Sequence, residues 1–470
     1  MIASTNAWNR RQVLAGVGLG VYASAVALTP GMAAKVILCA PILLVPLSWS
    51  LLTSPTAWLG LFFGCALLTP PLPFSLGDSG PHVALLAACA GLFIGLLRLR
   101  EWRLRLDALS LSLIGLWMAF AFSLSMAAIY SGLSIAAGSF ARVLLFGISV
   151  YVFLYVRDGP TRLTPRQSLG AIRWLFLAAA LSALFACVDF YFQFPTPAGY
   201  EQQFVWLESG VYRRAQGLFY EASTLGNLCA FFLEMIAVAL FRPKQGQPVP
   251  RTAMLVGGTA LAAALVLSYS RASLVNVAVA LVVLLWLNRR RVHWQRLTAW
   301  TTVFSAGAAG LLAAAFPVFA RAAWLRVSAA FEYFSESPNA VLSGRITSWQ
   351  TLLSFLASHP WHALLGVGYK TLPYSDFIGA KAVGDNTYLT LLVETGLVGL
   401  LGVLALNAAI LAAAYEASRS RDSVRSFCGT WMFCFWTGQC VQMLSADLLT
   451  YWRILPVYFF VLALATRREA

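Results

Sequence analysis

Apolar stretches of about 20 residues, the length needed to cross a bilayer core, recur along nearly the whole chain. A chain built this way must satisfy its backbone polar groups without water, so helices that close their own hydrogen bonds are its natural elements. Short polar turns carrying Arg, Pro and Gly separate the stretches. Only 11% of the residues are charged, against about 25% in a soluble domain, which excludes an ordinary globular fold. Spans are expected near 13–29, 33–52, 56–71, 82–97, 107–129, 135–156, 169–190, 217–241, 252–269, 272–288, 298–319, 386–415, 426–444 and 451–466. The first two carry the weakest pattern. The expected fold is therefore an all-α polytopic membrane protein of about 12–14 transmembrane helices. The first apolar run leads through Pro30 and Gly31 into another span, which argues against a cleaved signal peptide.

The net charge of +15 would suit nucleic acid if it formed one patch. It does not. Arginines and lysines cluster in alternate loops: Arg10 and Arg11; Arg98 to Arg105; Arg157, Arg162 and Arg166; Arg242, Lys244 and Arg251; Arg289 to Arg296; Arg419 to Arg425; Arg467 and Arg468. This is the positive-inside pattern, so these loops and both termini are expected in the cytoplasm, and nucleic acid is not expected as a partner. The eight cysteines all fall in apolar segments without ligand spacing, and they read as packing residues rather than disulfides or a metal site. The chain divides into N-terminal helices over 1–190, an outer loop over 191–216, central helices over 217–319, a second outer loop over 320–385 and C-terminal helices over 386–470. Within the second loop, Ile346, Trp349, Leu352, Leu353 and Leu356 keep helical spacing. They predict a short amphipathic helix ended by His359 and Pro360.

With the cytoplasmic clusters set aside, the remaining basic residues become informative: Arg142, Arg213, Arg214, Arg271, Arg321, Arg326, Arg345, Lys370, Lys381 and Arg453. Arg271 lies in a tight outer turn, Ser268 to Ser273, between two strongly apolar helices, where a charge is costly. The bland reading is an arginine reaching to lipid headgroups. Against it, three separated segments bring guanidinium groups to one face, at Arg213 and Arg214, at Arg271 and at Arg345. Guanidinium forks match phosphate oxygens two at a time, so a diphosphate is the natural guest. Acidic groups on that face include Glu221, Asp385 and Glu394. Asp385 stands where it either caps a helix or does chemistry. Glu221 orients an arginine or takes part directly, and Glu394 reads as an internal hydrogen-bond partner.

The run Tyr212 to Phe219 with Glu221, then Ser270-Arg271, Ser343-Gly344-Arg345 with Trp349, His359-Pro360, Gly366-Val367-Gly368, Asp385 to Leu389 and Glu394 to Gly399, resembles the O-antigen ligase and polysaccharide polymerase superfamily over roughly 205–400. The resemblance implies a glycosyltransferase of the bacterial inner membrane, acting at the periplasmic face on glycans carried by undecaprenyl diphosphate. It implies inverting transfer with no cofactor and no metal. Arg213 or Arg214, with Arg271 and Arg345, would neutralise the diphosphate, and Arg142 is a further candidate. Asp385, Arg271, Arg345 and Glu221 are the expected catalytic set. Asn386, Tyr388, Trp349, His359 and His362 are expected to contact substrate, with Trp361 as a sugar-stacking surface. Where ligases of that family carry His-Asn, this chain has Asp385-Asn386, which favours a polymerase joining lipid-linked repeats. Its partners would be the lipid-linked donor, a glycan acceptor, the bilayer and a chain-length regulator or flippase. The alternatives are a ligase that moves the glycan to lipid A core or protein, and a transporter without chemistry. Transport is disfavoured by the one-sided charges and the lack of repeats.

Overall fold

The computed structural model describes residues 56–72, 81–160, 163–196, 200, 202–207, 210–242, 247–290, 344–379 and 384–467, with single positions in 17–54 and 310–328. The expected spans at 13–29, 33–52 and 298–319, and the residues Arg326 and Lys381, lie outside the described residues or are met there at single positions. Two compact units divide after Trp58; the second, Leu59–Ala470, carries everything discussed below.

Among the described residues the chain forms helices α1 (Ala57–Leu68), α2 (Val83–Leu97), α3 (Ala108–Ser131), α4 (Leu133–Arg157), α5 (Pro165–Phe192), α6 (Ala222–Leu240), α7 (Arg251–Leu267), α8 (Arg271–Leu287), α9 (Arg345–Ser358), α10 (His362–Leu365), α11 (Thr387–Ser418), α12 (Ser423–Gln442) and α13 (Leu455–Thr466). Five of them, α3, α4, α5, α6 and α11, are long and apolar enough to cross a membrane. The protein is thus an all-α polytopic membrane protein. Local signals set the ends. Thr164 and Gln167 form a reciprocal capping box with Pro165 in the first turn of α5. Asp107 caps α3 through the Ser110 N–H at 2.9 Å and also meets Arg157 at the end of α4 at 3.0 Å. The amphipathic helix expected around 343–358 appears as α9, and His359 is its C-terminal cap.

Helix α12 is the hub, packing on α6, α8, α11 and α13. Residues Leu455 to Ala465 of α13 are buried on every side, which fits a helix that is apolar all round. Burial in lipid supplies little attraction between apolar helices, so small and polar side chains must specify the contacts. Asn227 and Asn276 each donate to both Gln439 and Gln442, at 2.7–3.0 Å, and the Tyr458 hydroxyl donates to Asn227 at 2.6 Å. Gly226 lets α6 approach the Ser268 to Ser273 turn; a Cβ there would stand 2.9 Å from Ser268 Oγ and Ser270 Cβ.

Two features depart from the sequence reading. The loop at 191–216 contains an antiparallel hairpin, β1 (Phe204–Leu207) with β2 (Gly210–Arg213), in which Phe204 faces Arg213. Its aromatic and β-branched residues carried that signal. The span expected as continuous over 386–415 is broken inside α11: Gly396 takes φ 69° and ψ −166°. The carbonyls of Val393 and Glu394, freed by the break, accept from Val367 and Gly368 at 3.0 and 2.8 Å.

Candidate active site

The starts of α6, α8 and α11 and the end of α12 meet at one end of the bundle. Thr387 at the start of α11 donates its N–H to Met443 at 2.8 Å, just past α12, and its hydroxyl to Ala446 at 2.7 Å. Gln442 reaches Ser273 in the first turn of α8 at 3.4 Å, and that turn packs on Gly226. The positive dipole ends of these three helix starts lie in the same region, which favours an anion there.

Arg345, the first residue of α9, pairs with Asp385 just before α11, Nε to Oδ2 at 3.2 Å, both partly exposed. Residues 40 apart in sequence therefore meet directly. Asn386, rather than Asp385, caps α11, accepting the Leu389 N–H at 3.1 Å, and this leaves Asp385 for Arg345. Glu221 precedes α6 but its carboxylate makes no cap; it accepts the Ser223 hydroxyl at 2.7 Å. Tyr451, which follows the turn Leu448–Thr450, is 5% exposed. Burial pushes its hydroxyl up, Glu221 and Asp385 push in the same direction, and Ser223 and Arg345 pull it down.

Arg271 is exposed and opens α8. Arg214 shares its turn, donating Nε to the Ser268 carbonyl at 2.7 Å. Tyr269 completes that turn in the left-handed region at φ 52°, an unusual conformation for a bulky residue.

Arg213 goes elsewhere. Its guanidinium is buried, bonded to Asp189 at 2.7 Å and to the Phe194 carbonyl at 2.8 Å, and it ties the hairpin to the end of α5. The expectation that either adjacent arginine serves the anion is therefore corrected in favour of Arg214. Removing one partner of a buried pair strands the other charge. Arg213→Ala is expected to cost about 3 kcal/mol or more, read by thermal unfolding in detergent, with part of the loss recovered when Asp189→Ala is added.

Four other expected contacts also turn inward or sideways. The Tyr388 hydroxyl donates to the Cys440 carbonyl at 3.1 Å and accepts from Asn407 at 3.3 Å, between α11 and α12. His359 and His362 pack around Phe355, with ring centroids at 5.0 and 5.5 Å, and His362 also meets Tyr130 and Phe377. His359 is exposed and His362 half-buried. Arg142 braces the chain after α10, with Nη1 3.5 Å from the Lys370 carbonyl and its guanidinium over the Tyr374 ring. Asn386 is spent as a cap. Trp349, half-buried on α9, keeps a buried indole N–H without a partner among the described residues, and Trp361 is 78% exposed. Glu394 is buried within α11, 1% exposed, as its internal position suggested. Arg453 is a buried brace whose guanidinium reaches the carbonyls of Ala66, Thr69 and Leu218.

The sequence reading missed Tyr451, Ser223 and Asp447. The last was findable, because an acidic residue beside the start of the last span stands where charges are sparse. Lys370, noted as an outer cation, pairs closely with Asp447. Burial lowers its ammonium to about 8, which leaves it charged at neutral pH.

No curated protein matches the chain at a significant level. Residues 256–404 match the family model described as O-antigen ligase. That segment holds Arg271, Arg345 and Asp385, and it overlaps the C-terminal three quarters or so of the region whose motifs carry the resemblance. Over that segment the chain is similar to the O-antigen ligase family, in agreement with the resemblance its motifs carry.

Proposed function

We propose that this protein is a polysaccharide polymerase that moves glycan from an undecaprenyl-diphosphate carrier to a hydroxyl of a second lipid-linked repeat, at the periplasmic face of the inner membrane. The observation that carries the reading is the Arg345–Asp385 pair just before α11, at the end of the bundle where Arg214 reaches the turn that leads into Arg271. Anion-binding groups and carboxylates occur there together, which is what displacement of a diphosphate requires.

In the step proposed, an acceptor hydroxyl oxygen forms a bond to the anomeric carbon while the bond from that carbon to the diphosphate oxygen breaks. The electron pair leaves with the diphosphate, and Arg345, Arg271 and Arg214 hold its growing charge. The hydroxyl proton passes to Asp385 or Glu221. A carboxylate is a weak base, but the hydroxyl grows strongly acidic as its oxygen bonds to carbon, so the proton is taken late. Most of the rate advantage then comes from position and charge. Trp349, half-buried, and Trp361, 78% exposed, offer rings for stacking against sugar.

The description of the matched family favours a second reading, ligation to lipid A core or to protein. Transport gains one supporting feature, since a broken helix is common in transporters. Here the freed carbonyls are filled by Val367 and Gly368 rather than left to a substrate path. The test is the chain length of lipid-linked glycan in cells carrying wild type, Arg271→Ala or Asp385→Ala. Build-up of single repeats in both variants supports polymerisation. Long polymer left unattached points to ligation, and an unchanged profile would count against either enzyme.

A further inference from the structure

The segment after α10 runs into the bundle. Tyr369 is 1% exposed, and its ring lies flat on Phe120 of α3 with centroids 4.1 Å apart. Ser123 and Ser139 take its N–H and carbonyl. Gly368 lies so close to α3 that a Cβ would stand 2.5 Å from Ala127 Cα. Gly366 is held as tightly against the break in α11, where a Cβ would meet the Glu394 carbonyl oxygen at 2.3 Å.

Lys370 follows in the left-handed region, φ 57°, 7% exposed, with its Nζ on Asp447. Asp447 opens the 3-10 turn Leu448–Thr450, and Tyr451 comes next. A non-glycine residue in that conformation costs about 1–2 kcal/mol, and a buried ion pair is often replaceable by apolar groups without loss of stability. The fold carries both costs at one residue. The charges facing Lys370 are Asp447, Glu394, Glu221 and Arg142, three acids against two cations, so no further anion is called for.

We infer that Lys370 is a positioning residue: its pairing with Asp447 locks the Tyr451 turn to the segment stitched into the break of α11, and so keeps Glu221 in register with the Arg345–Asp385 pair. It touches no reacting atom. The inference rests on the transferase reading above, because register matters only if those groups act together on a substrate.

The test uses membrane vesicles from the parent organism deleted for this chain and complemented with each variant. They are supplied with the lipid-linked glycan that the deletion strain accumulates. Lys370→Met and Asp447→Asn are each expected to lower the maximal rate about tenfold, the scale of a small misplacement. Half-saturation should stay within about twofold, since ground-state binding is not removed. The charge-swapped double variant, Lys370→Asp with Asp447→Lys, should recover part of the rate. Amide exchange in the purified single variants should quicken over 366–372 and 448–452 and stay unchanged in α6 and α12. Singles as active as wild type, a double no better than the singles, or exchange that quickens throughout would each overturn the positioning role. Vesicles in which wild type itself makes no product would overturn the transferase reading and the role that rests on it, whereas loss confined to the variants overturns neither.

Discussion

Arg345→Ala is expected to lower the rate of glycan transfer about 10³-fold, the loss seen when a guanidinium that stabilises a leaving phosphate is removed. Two effects combine. The variant removes a charge that would face the diphosphate, and it releases Asp385, whose carboxylate Arg345 holds at 3.2 Å. Arg345→Lys should recover little, because an ammonium cannot hold a carboxylate and a phosphate oxygen in the planar fork geometry. Thermal unfolding of both variants should stay near wild type, since the pair is partly exposed and such pairs contribute about 1 kcal/mol or less to stability. The measurement is product formed per unit of folded protein in the vesicle assay. A loss smaller than about tenfold would remove Arg345 from the site.

Gly396→Ala is expected to act on the fold instead. Gly396 has φ 69°, and a Cβ added there would lie 2.2 Å from the Leu364 carbonyl oxygen and 2.5 Å from its carbon. Both atoms are backbone, so the clash cannot be relieved by a rotamer change. Left-handed strain of about 1 kcal/mol adds to overpacking of about 1–3 kcal/mol. The break would straighten or α10 would move, and either change withdraws the partners of Val393 and Glu394. The expected result is a fall in melting temperature of many degrees, or no monodisperse protein from detergent. Gly132→Ala is the control, because Gly132 also has positive φ, at 85°, but meets nothing within 4 Å of an added Cβ.

The helices were legible because lipid imposes one period and one length on them. The span expected over 135–156 forms as Leu133–Arg157, and that over 169–190 as Pro165–Phe192. The amphipathic helix was legible for a related reason, since Leu352, Phe355 and Leu356 bury together with Val367 and Val393. The break at Gly396 was not, because its cause lies 30 residues upstream in a segment whose N–H groups replace the lost helix bonds. Asp385, Asn386 and Thr387 are all capping types, so sequence alone does not say which one caps α11. Arg213 and Arg214 are neighbours of one kind, and only the strand register separates them: the first turns in to Asp189 and the second reaches the Ser268 turn. Tyr388 and His362 have the chemistry of substrate contacts, yet each has partners on the bundle helices, Tyr388 at Cys440 and His362 at Tyr130. Polar side chains in a dry setting bond to one another first, which is why the amide cluster of Asn227, Asn276, Gln439 and Gln442 also left no trace in the hydropathy pattern.

The most direct measurement is a titration of the purified protein in lipid nanodiscs with undecaprenyl diphosphate and, separately, undecaprenyl monophosphate, for wild type and Arg271→Ala. If guanidinium groups from distant stretches grip paired phosphates, wild type binds the diphosphate at least about tenfold more tightly than the monophosphate, and Arg271→Ala erases most of that preference. Equal affinity for the two lipids in wild type, unchanged by the substitution, would contradict the account.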